Sequence, residues 1–313
     1  MLRKIFTKPV WWWERKRKYQ IRSHYGKLPP IPVKAQFGRF VVLTTPETFG
    51  DALWSAWSWH RFIHDAFQLE FVVDGEISKA NENAAQGLFP GVSVLRAESI
   101  VSALSASHPV LETFLRLHPM GRKLAVTLQL QRERPILYCD HDVMAFNLPT
   151  EVLIQANDNT PFYITEEKEG QYDLEILQRA KELGLEHAPD LNGGLLYVPK
   201  DRLSIELASK LLADWHPPMR SWFTEQTVFS VLFHQAGGVP LARHKYVVSN
   251  RRQFYWQQDV DYSTIMARHF TGPVRHIMYR NGMRQILQQH KANKAAWIET
   301  AGASEPKSIP HAG

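Results

Sequence analysis

A single α/β domain with a mixed, mainly parallel sheet flanked by helices is predicted by three features of the sequence. Arg39-Phe-Val-Val-Leu-Thr-Thr45 and Leu69-Glu-Phe-Val-Val-Asp74-Gly75 are compact apolar runs, and the segment between them carries apolar residues at helical spacing. Strand, helix and strand in that order imply a right-handed parallel crossover. The third feature is Pro135-Ile-Leu-Tyr-Cys-Asp140-His-Asp142, an apolar run without polar alternation that ends in two carboxylates one residue apart.

Residues 1–37 read as a basic, Trp-rich arm, 38–280 as the domain, and 281–313 as a C-terminal helix and tail. In the arm, Trp11, Trp12 and Trp13 precede Glu14-Arg-Lys-Arg-Lys18, and Pro29-Pro30 leads into the first strand. Two readings stand side by side. Interfacial tryptophans beside Lys and Arg can lodge at an anionic membrane surface, or the same indoles can pack on the domain. No nucleic-acid-binding fold signature accompanies the basic residues, so nucleic acid is not an expected partner.

Within the domain, Pro46 suits the first turn of a helix spanning Glu47 to Phe67, where Phe49, Leu53, Ala56, Ile63 and Phe67 recur at helical spacing. Trp54, Trp57 and Trp59 widen its apolar face and read as core rather than as a sugar platform. Leu88–Leu95 offers a third strand. Glu98–His118 has a helical pattern interrupted at His108-Pro109. A helix from Met120 to Gln131 leads into the acidic strand, with Arg122 and Lys123 in its first turn. Charges there usually face solvent; alternatively, one of them reaches the sheet edge to meet phosphate.

Further along, Phe162–Thr165 is a strand and Asp173–Leu183 a short amphipathic helix. Asn192-Gly193-Gly194 precedes the apolar run to Val198, so backbone without Cβ can approach a ligand there, although a plain turn also accounts for the glycines. Asp201–Trp215 reads as a helix ended by Pro217-Pro218. Thr224 is placed to cap a helix whose opening turn holds Glu225 and Gln226. Leu241–Val248 is strand-like, Arg251–Trp256 is basic and aromatic, and Ser263–His269 is a strand ending in a histidine and a glycine turn. The last helix covers Asn281–Thr300.

Bulk properties narrow the class. With 313 residues and 44% hydrophobic content the chain can bury a sizeable core. A net charge of +6 favours anionic partners. The lone cysteine, Cys139, excludes an intrachain disulfide framework and a four-cysteine zinc site, and reads as a packing residue. No apolar run approaches the roughly 18 residues of a spanning helix, and the N-terminus lacks a secretory pattern; the expectation is a cytoplasmic protein.

Asp140 and Asp142 stand where ligands collect in open α/β sheets, outside the carboxyl ends of the strands. Closely spaced oxygens there can hold a hard divalent cation and, through it, phosphates. Strand alternation turns His141, between them, to the opposite face in a structural role.

Several short motifs fall in a recognisable order. Thr44 and Thr45 close the first strand, and Asp140-His141-Asp142, Asn192-Gly193-Gly194, Glu225-Gln226 and His269-Phe270-Thr271-Gly272 follow. In this the chain resembles the GT-A nucleotide-diphospho-sugar transferases, and is most similar to glycosyltransferase family 8, over roughly residues 38 to 280.

The resemblance implies that Asp140, Asp142 and His269 bind Mn²⁺ or Mg²⁺, Asp140 also approaching the ribose. An imidazole among oxygen ligands leans towards Mn²⁺. It also implies that Thr44, Thr45 and Asp74 lie near the nucleoside, and that Lys123 or Arg122 contacts donor sugar or phosphate. Asn192 and Gly193 would line the sugar pocket, Glu225 would bond sugar hydroxyls, and Gln226 would sit close to the reacting carbon.

Two positions depart from the family pattern. Glu225 stands where Asp is usual, and Gly272-Pro273-Val274-Arg275 replaces a motif that supplies a Lys followed by Pro-Trp. Arg275 would then be the phosphate-binding cation beside Gly272. The implied activity is transfer of a hexose from a nucleotide diphosphate, UDP, to a hydroxyl of a glycan or lipid-linked acceptor, with retention. A non-catalytic GT-A scaffold peripheral to a membrane is the rival, opposed by the intact Asp142 and His269. A nucleotidyltransferase would carry a glycine-rich loop after the first strand, which Thr44–Gly50 does not supply.

Overall fold

In a computed structural model, residues 18, 20–166, 171–217, 221–249, 253 and 257–302 of the chain are described. Trp11–Trp13 and their basic neighbours to Arg17, most of Arg251–Trp256 and the tail after 302 lie outside them. The first half runs β1 (Gly38–Thr44), α1 (Phe49–Ile63), β2 (Phe67–Val73), α2 (Lys79–Leu88), β3 (Ser93–Arg96), α3 (Ala97–Ser107), α4 (Glu112–Leu117), α5 (Gly121–Leu130) and β4 (Ile136–Asp140). Then come β5 (Val143–Ala145), α6 (Thr150–Asn157), β6 (Phe162–Thr165), α7 (Leu174–Glu182), β7 (Leu191–Val198), α8 (Ile205–Leu211), α9 (Thr224–Gln235), β8 (Val239–Pro240), β9 (Tyr246–Val248) and β10 (Ala267–His269). A helical run closes the fold: Arg275–Ile277, a π-turn at Met278–Gly282, and Met283–Gly302.

The central sheet has the order β3-β2-β1-β4-β7-β6-β8. β1 pairs in parallel with β2 and β4, and β2 with β3, whereas β7 lies antiparallel to both β4 and β6. The predicted parallel crossover and the mixed, mainly parallel sheet are therefore present. Both faces are covered, which explains the strands without polar alternation. Phe40, Val42, Leu137 and Cys139 join a core with α1 and the C-terminal helical run. Val41, Ile136 and Tyr138 point the other way, into a second core with α3, α5 and α9.

Helix α1 shows how sequence becomes architecture. It is buried almost all round, and its indoles are core residues whose N–H groups find carbonyl partners. Trp54 Nε1 donates to Arg22 O (3.0 Å), Trp57 Nε1 to Pro29 O (2.9 Å) and Trp59 Nε1 to Val143 O (3.1 Å). The first two bonds tie residues 22–29 to the domain, and Arg22 adds an ion pair with the buried Asp51. The third acts with Ser55 Oγ, which donates to the same carbonyl at 2.6 Å. Together they clamp β5 directly after the acidic turn.

The structure corrects several sequence readings. Leu88 ends a helix rather than beginning a strand: the apolar face of α2 is narrow and made mostly of alanine, with Ala85 and Leu88 buried and Ala84 packed beside them. Val143–Ala145 and the end of Ser263–His269 form a second, three-stranded sheet of order β5-β10-β9. Asn192-Gly193-Gly194 lie inside β7, not before it. Thr224 does not cap α9 through its side chain; its hydroxyl donates to Ser221 O and to Asp173. The last helix, Met283–Gly302, falls where the sequence places it, and a shorter helical run from Gly272 to Gly282 leads into it. Among the described residues, no helix is long and apolar enough to cross a membrane.

Candidate functional site

A cavity of about 600 Å³ opens at the carboxyl ends of β1, β2 and β4, where an open α/β sheet gathers its ligands. Every candidate from the sequence lines it: Thr44, Thr45, Asp74, Lys123, Asp140, Asp142, Asn192, Gly193, Glu225, Gln226, His269, Gly272 and Arg275.

Asp140 is the last residue of β4, and Asp142 sits in the turn before β5. β10 pairs with β5 in the register His269↔Val143, which carries the histidine to the acids across more than a hundred residues of sequence. One ligand atom from each of Asp140, Asp142 and His269 lies within 4.8 Å of the others. His269 Nε2 is 3.2 Å from Asp142 Oδ1 and 3.9 Å from Asp140 Oδ2.

The ring is set by its other nitrogen, as at metal sites, where a second hydrogen bond fixes tautomer and orientation. Asn192 Nδ2 donates to Glu166 Oε1 (2.8 Å) and its Oδ1 accepts from Gly194 N–H (2.9 Å). The amide is thereby oriented, so His269 Nδ1–H donates to Asn192 Oδ1 at 2.8 Å and Nε2 turns to the carboxylates. Two carboxylates and an imidazole nitrogen on a shared focus are a donor set that fits Mn²⁺ or Mg²⁺.

Two cations flank this set. Lys123, 7% exposed, donates from Nζ to Asp140 Oδ2 (3.0 Å) and Gly193 O (3.3 Å) and lies 3.6 Å from Glu225 Oε1. Burial opposes its charge, but Asp140 and Glu225 outweigh that and hold its pKa above the ordinary value. Tyr138 OH donates to the other oxygen, Asp140 Oδ1, at 2.6 Å. Arg275 grips Asp142 Oδ2 with Nη2 and with Nε, the latter at 3.1 Å. Burial pushes the Asp142 carboxyl up, but the charges of His269, His141 and Arg275 hold it well below the usual carboxylate range.

Of the two cations at the start of α5, Lys123 is the one that reaches the acids. Arg122 lines the cavity farther out, with Nε 3.4 Å from Asp74 Oδ1. Thr44 and Thr45 gather around the Thr48 hydroxyl, which accepts from Thr45 N–H at 3.0 Å.

The register between β6 and β7 jumps from Tyr163↔Leu196 to Ile164↔Asn192, so the two glycines bulge from that ladder towards the cavity. A Cβ at Gly193 would stand 2.9 Å from Glu225 Oε1, and one at Gly194 would strike the His269 ring. At Gly272 a Cβ would meet nothing within 4 Å, so packing does not demand glycine there.

His141 is a correction: it lines the same cavity as the acids. The strand ends at Asp140, so alternation no longer governs the next residue. Tyr138, Glu166 and Gln171 were not found from sequence, since each reaches the site through tertiary contacts that no local spacing announces; Trp222, exposed on the cavity lining, was not found either.

Glu225 yields a testable pH dependence. It is 3% exposed, its Oε1 has no hydrogen-bond partner, and burial raises its pKa from 4.5 to about 7 against the pull of Lys123. Between these values the folded state holds a proton the unfolded chain has lost, so this group's contribution to stability falls as pH rises through the window and levels off above it. Glu225→Gln removes the titration. The variant should gain about 2.5 kcal/mol on wild type between pH 5 and 8, read by urea denaturation; a pH-independent difference would contradict the burial argument.

Compared with protein-family models and with curated proteins, the sequence matches none. Solved structures do match. Mouse xyloside xylosyltransferase 1, in its apo form, aligns over 78% of this chain and 99% of its own, with 13% identity and a TM-score of 0.50. The bifunctional glycosyltransferase WbbM, also apo, aligns over 77% of this chain and 47% of its own, with 15% identity and a TM-score of 0.52. At such identities the likeness establishes architecture, and the architecture is the GT-A fold.

Proposed function

We propose that this protein is a metal-dependent glycosyltransferase that moves a hexose from a nucleotide diphosphate, UDP, to an acceptor hydroxyl on a glycan or lipid-linked saccharide, with retention. The observation that carries this reading is the convergence of Asp140, Asp142 and His269 beside Lys123 and Arg275 at the carboxyl ends of the parallel strands. The names of the two fold relatives, both sugar transferases, support it. UDP and retention rest on the motif resemblance.

The physical problem in such a transfer is the diphosphate, which gathers negative charge as the bond to the sugar breaks. A divalent cation held by Asp140, Asp142 and His269 would supply Lewis-acid stabilisation of that charge. Arg275 adds a planar fork of donors suited to phosphate oxygens, and Lys123 a fixed positive charge. Glu225 Oε1, ion-paired with Lys123 at 3.6 Å but without a hydrogen bond, accepts a donor-sugar hydroxyl. Gln226 is a poor nucleophile, so the reading is front-face attack. The acceptor oxygen bonds to the anomeric carbon as the carbon–phosphate oxygen bond breaks, and the acceptor proton leaves on the released phosphate.

The test is a hydrolysis screen of UDP-, GDP- and ADP-sugars with Mn²⁺, with Mg²⁺ and with EDTA. A UDP-hexose should be turned over with Mn²⁺ and fall to the enzyme-free background on chelation. Equal turnover in EDTA would remove the metal-dependent reading, and no turnover with any donor would favour the non-catalytic scaffold.

A further inference from the structure

The cavity has two chemically different halves. Charge lines the inner wall, whereas Pro119, Met120, Trp222 and Phe223 form an apolar rim. Trp222 is 61% exposed, while Trp54, Trp57, Trp59 and Trp215 are buried. An apolar residue exposed singly would need no explanation, but four apolar side chains grouped on a cavity bordered by polar groups form a surface suited to a ligand.

The backbone beneath it is clamped. Ser221 O accepts from His118 Nε2–H (3.0 Å) and from Thr224 Oγ1 (2.9 Å), and Phe223 N–H donates to Ser221 Oγ at 3.2 Å. His118 Nδ1 accepts from Met120 N–H at 3.1 Å, so one imidazole ties the two sides of the rim together. That ring is itself stacked on Phe114 at 4.6 Å and meets the edge of Trp215. The backbone that carries the exposed indole is thus held in a fixed frame, and the share of the binding cost that comes from ordering that backbone is met before a ligand arrives.

The rim's borders identify the occupant. Gln171 and Gln226 adjoin it, with Gln226 Nε2 donating to Gln171 O at 3.2 Å. An acyl chain laid there would bury these amides against hydrocarbon. A pyranose offers an apolar C–H face to the indole and hydroxyls to the amides. We propose that Trp222, on the frame held by His118, is the acceptor platform: it stacks on the C–H face of a pyranose and directs a ring hydroxyl towards Gln226. The assignment of this sugar as acceptor rests on the transferase reading; the pyranose site itself can be tested apart from it.

Saturation-transfer NMR on the full chain, with UDP and Mg²⁺ present, separates the two. The probes are the methyl pyranosides of galactose, glucose, mannose and N-acetylglucosamine, with sodium octanoate as the apolar comparison. At least one pyranoside should show saturated ring protons with wild type, weakened about tenfold in Trp222→Ala and largely retained in Trp222→Phe. The UDP signal reports the donor reading and the fold in the same tube, and should persist in both variants. The platform is overturned if no pyranoside is saturated, if Trp222→Ala leaves pyranoside saturation intact, or if octanoate alone depends on Trp222. Absence of the UDP signal with pyranoside binding intact would instead count against the donor reading while supporting the platform.

Discussion

Asp142→Asn is expected to lower transfer on the order of a thousandfold, roughly 4 kcal/mol of lost transition-state stabilisation, in a protein that still folds. The carboxylate is buried and meets His269 Nε2 through one oxygen and Arg275 through the other. The amide keeps the shape but provides neither the charge nor a second acceptor. Breaking a wholly buried ion pair typically costs about 3–5 kcal/mol. Arg275 is 35% exposed, however, and can turn to water when its partner is lost. The stability loss should therefore be about 2 kcal/mol, the scale of a charge-assisted hydrogen bond.

The pH dependence follows from the depressed Asp142 carboxyl. Its contribution is fully present above the ordinary value of 3.8 and is lost as pH falls through the lower folded value. The gap between wild type and variant should accordingly close on acidification. Mn²⁺ affinity by electron paramagnetic resonance, donor hydrolysis and denaturation at two pH values together check the prediction. Wild-type Mn²⁺ affinity and turnover in Asp142→Asn would remove this residue from the site.

What could be read beforehand follows a physical pattern. The strand carrying Asp140 was legible because burial on both faces strips a sequence of polar alternation and makes an abrupt acid conspicuous. The indoles of α1 were legible as core because they crowd a helix with little polar face. Partners across sequence were not legible from spacing. His269 meets Asp142 through the three-residue strands β5 and β10, too short to carry a period, and only the ordered motif set brought the two together. His141 was misplaced because one residue past the end of a strand the period of two no longer holds. Helix α2 is hard to read from sequence because its apolar stripe is mostly alanine, Ala84 and Ala85 with Leu88, and its start is marked only by a Ser78 cap, whose hydroxyl accepts from Asn81 N–H at 3.2 Å. Trp222 left no local mark at all, since its distinction is exposure, which exists only once the chain has folded.

Gly194→Ala should lower Mn²⁺ affinity and donor turnover about a hundredfold without touching a ligand, the upper end for losing a group that orients a metal-binding histidine. A methyl there would stand 2.5 Å from His269 Cε1 and 2.9 Å from Asn192 Oδ1. One of them must move. The strand cannot yield easily, because β7 is buried along its whole length and the next residue, Leu195, is paired with Cys139 of β4. Asn192 is held by Glu166 on its other side. The imidazole is therefore the group displaced, and with it goes the bond that turns Nε2 towards Asp140 and Asp142. Overpacking of this kind costs about 1–3 kcal/mol, so the protein remains folded and the metal measurement stays interpretable. Gly272→Ala is the control for stability, since its Cβ meets open space: it should melt with wild type, while Gly194→Ala melts earlier. If Gly194→Ala bound Mn²⁺ as wild type does, the His269 orientation set by Asn192 would not be what the metal site requires.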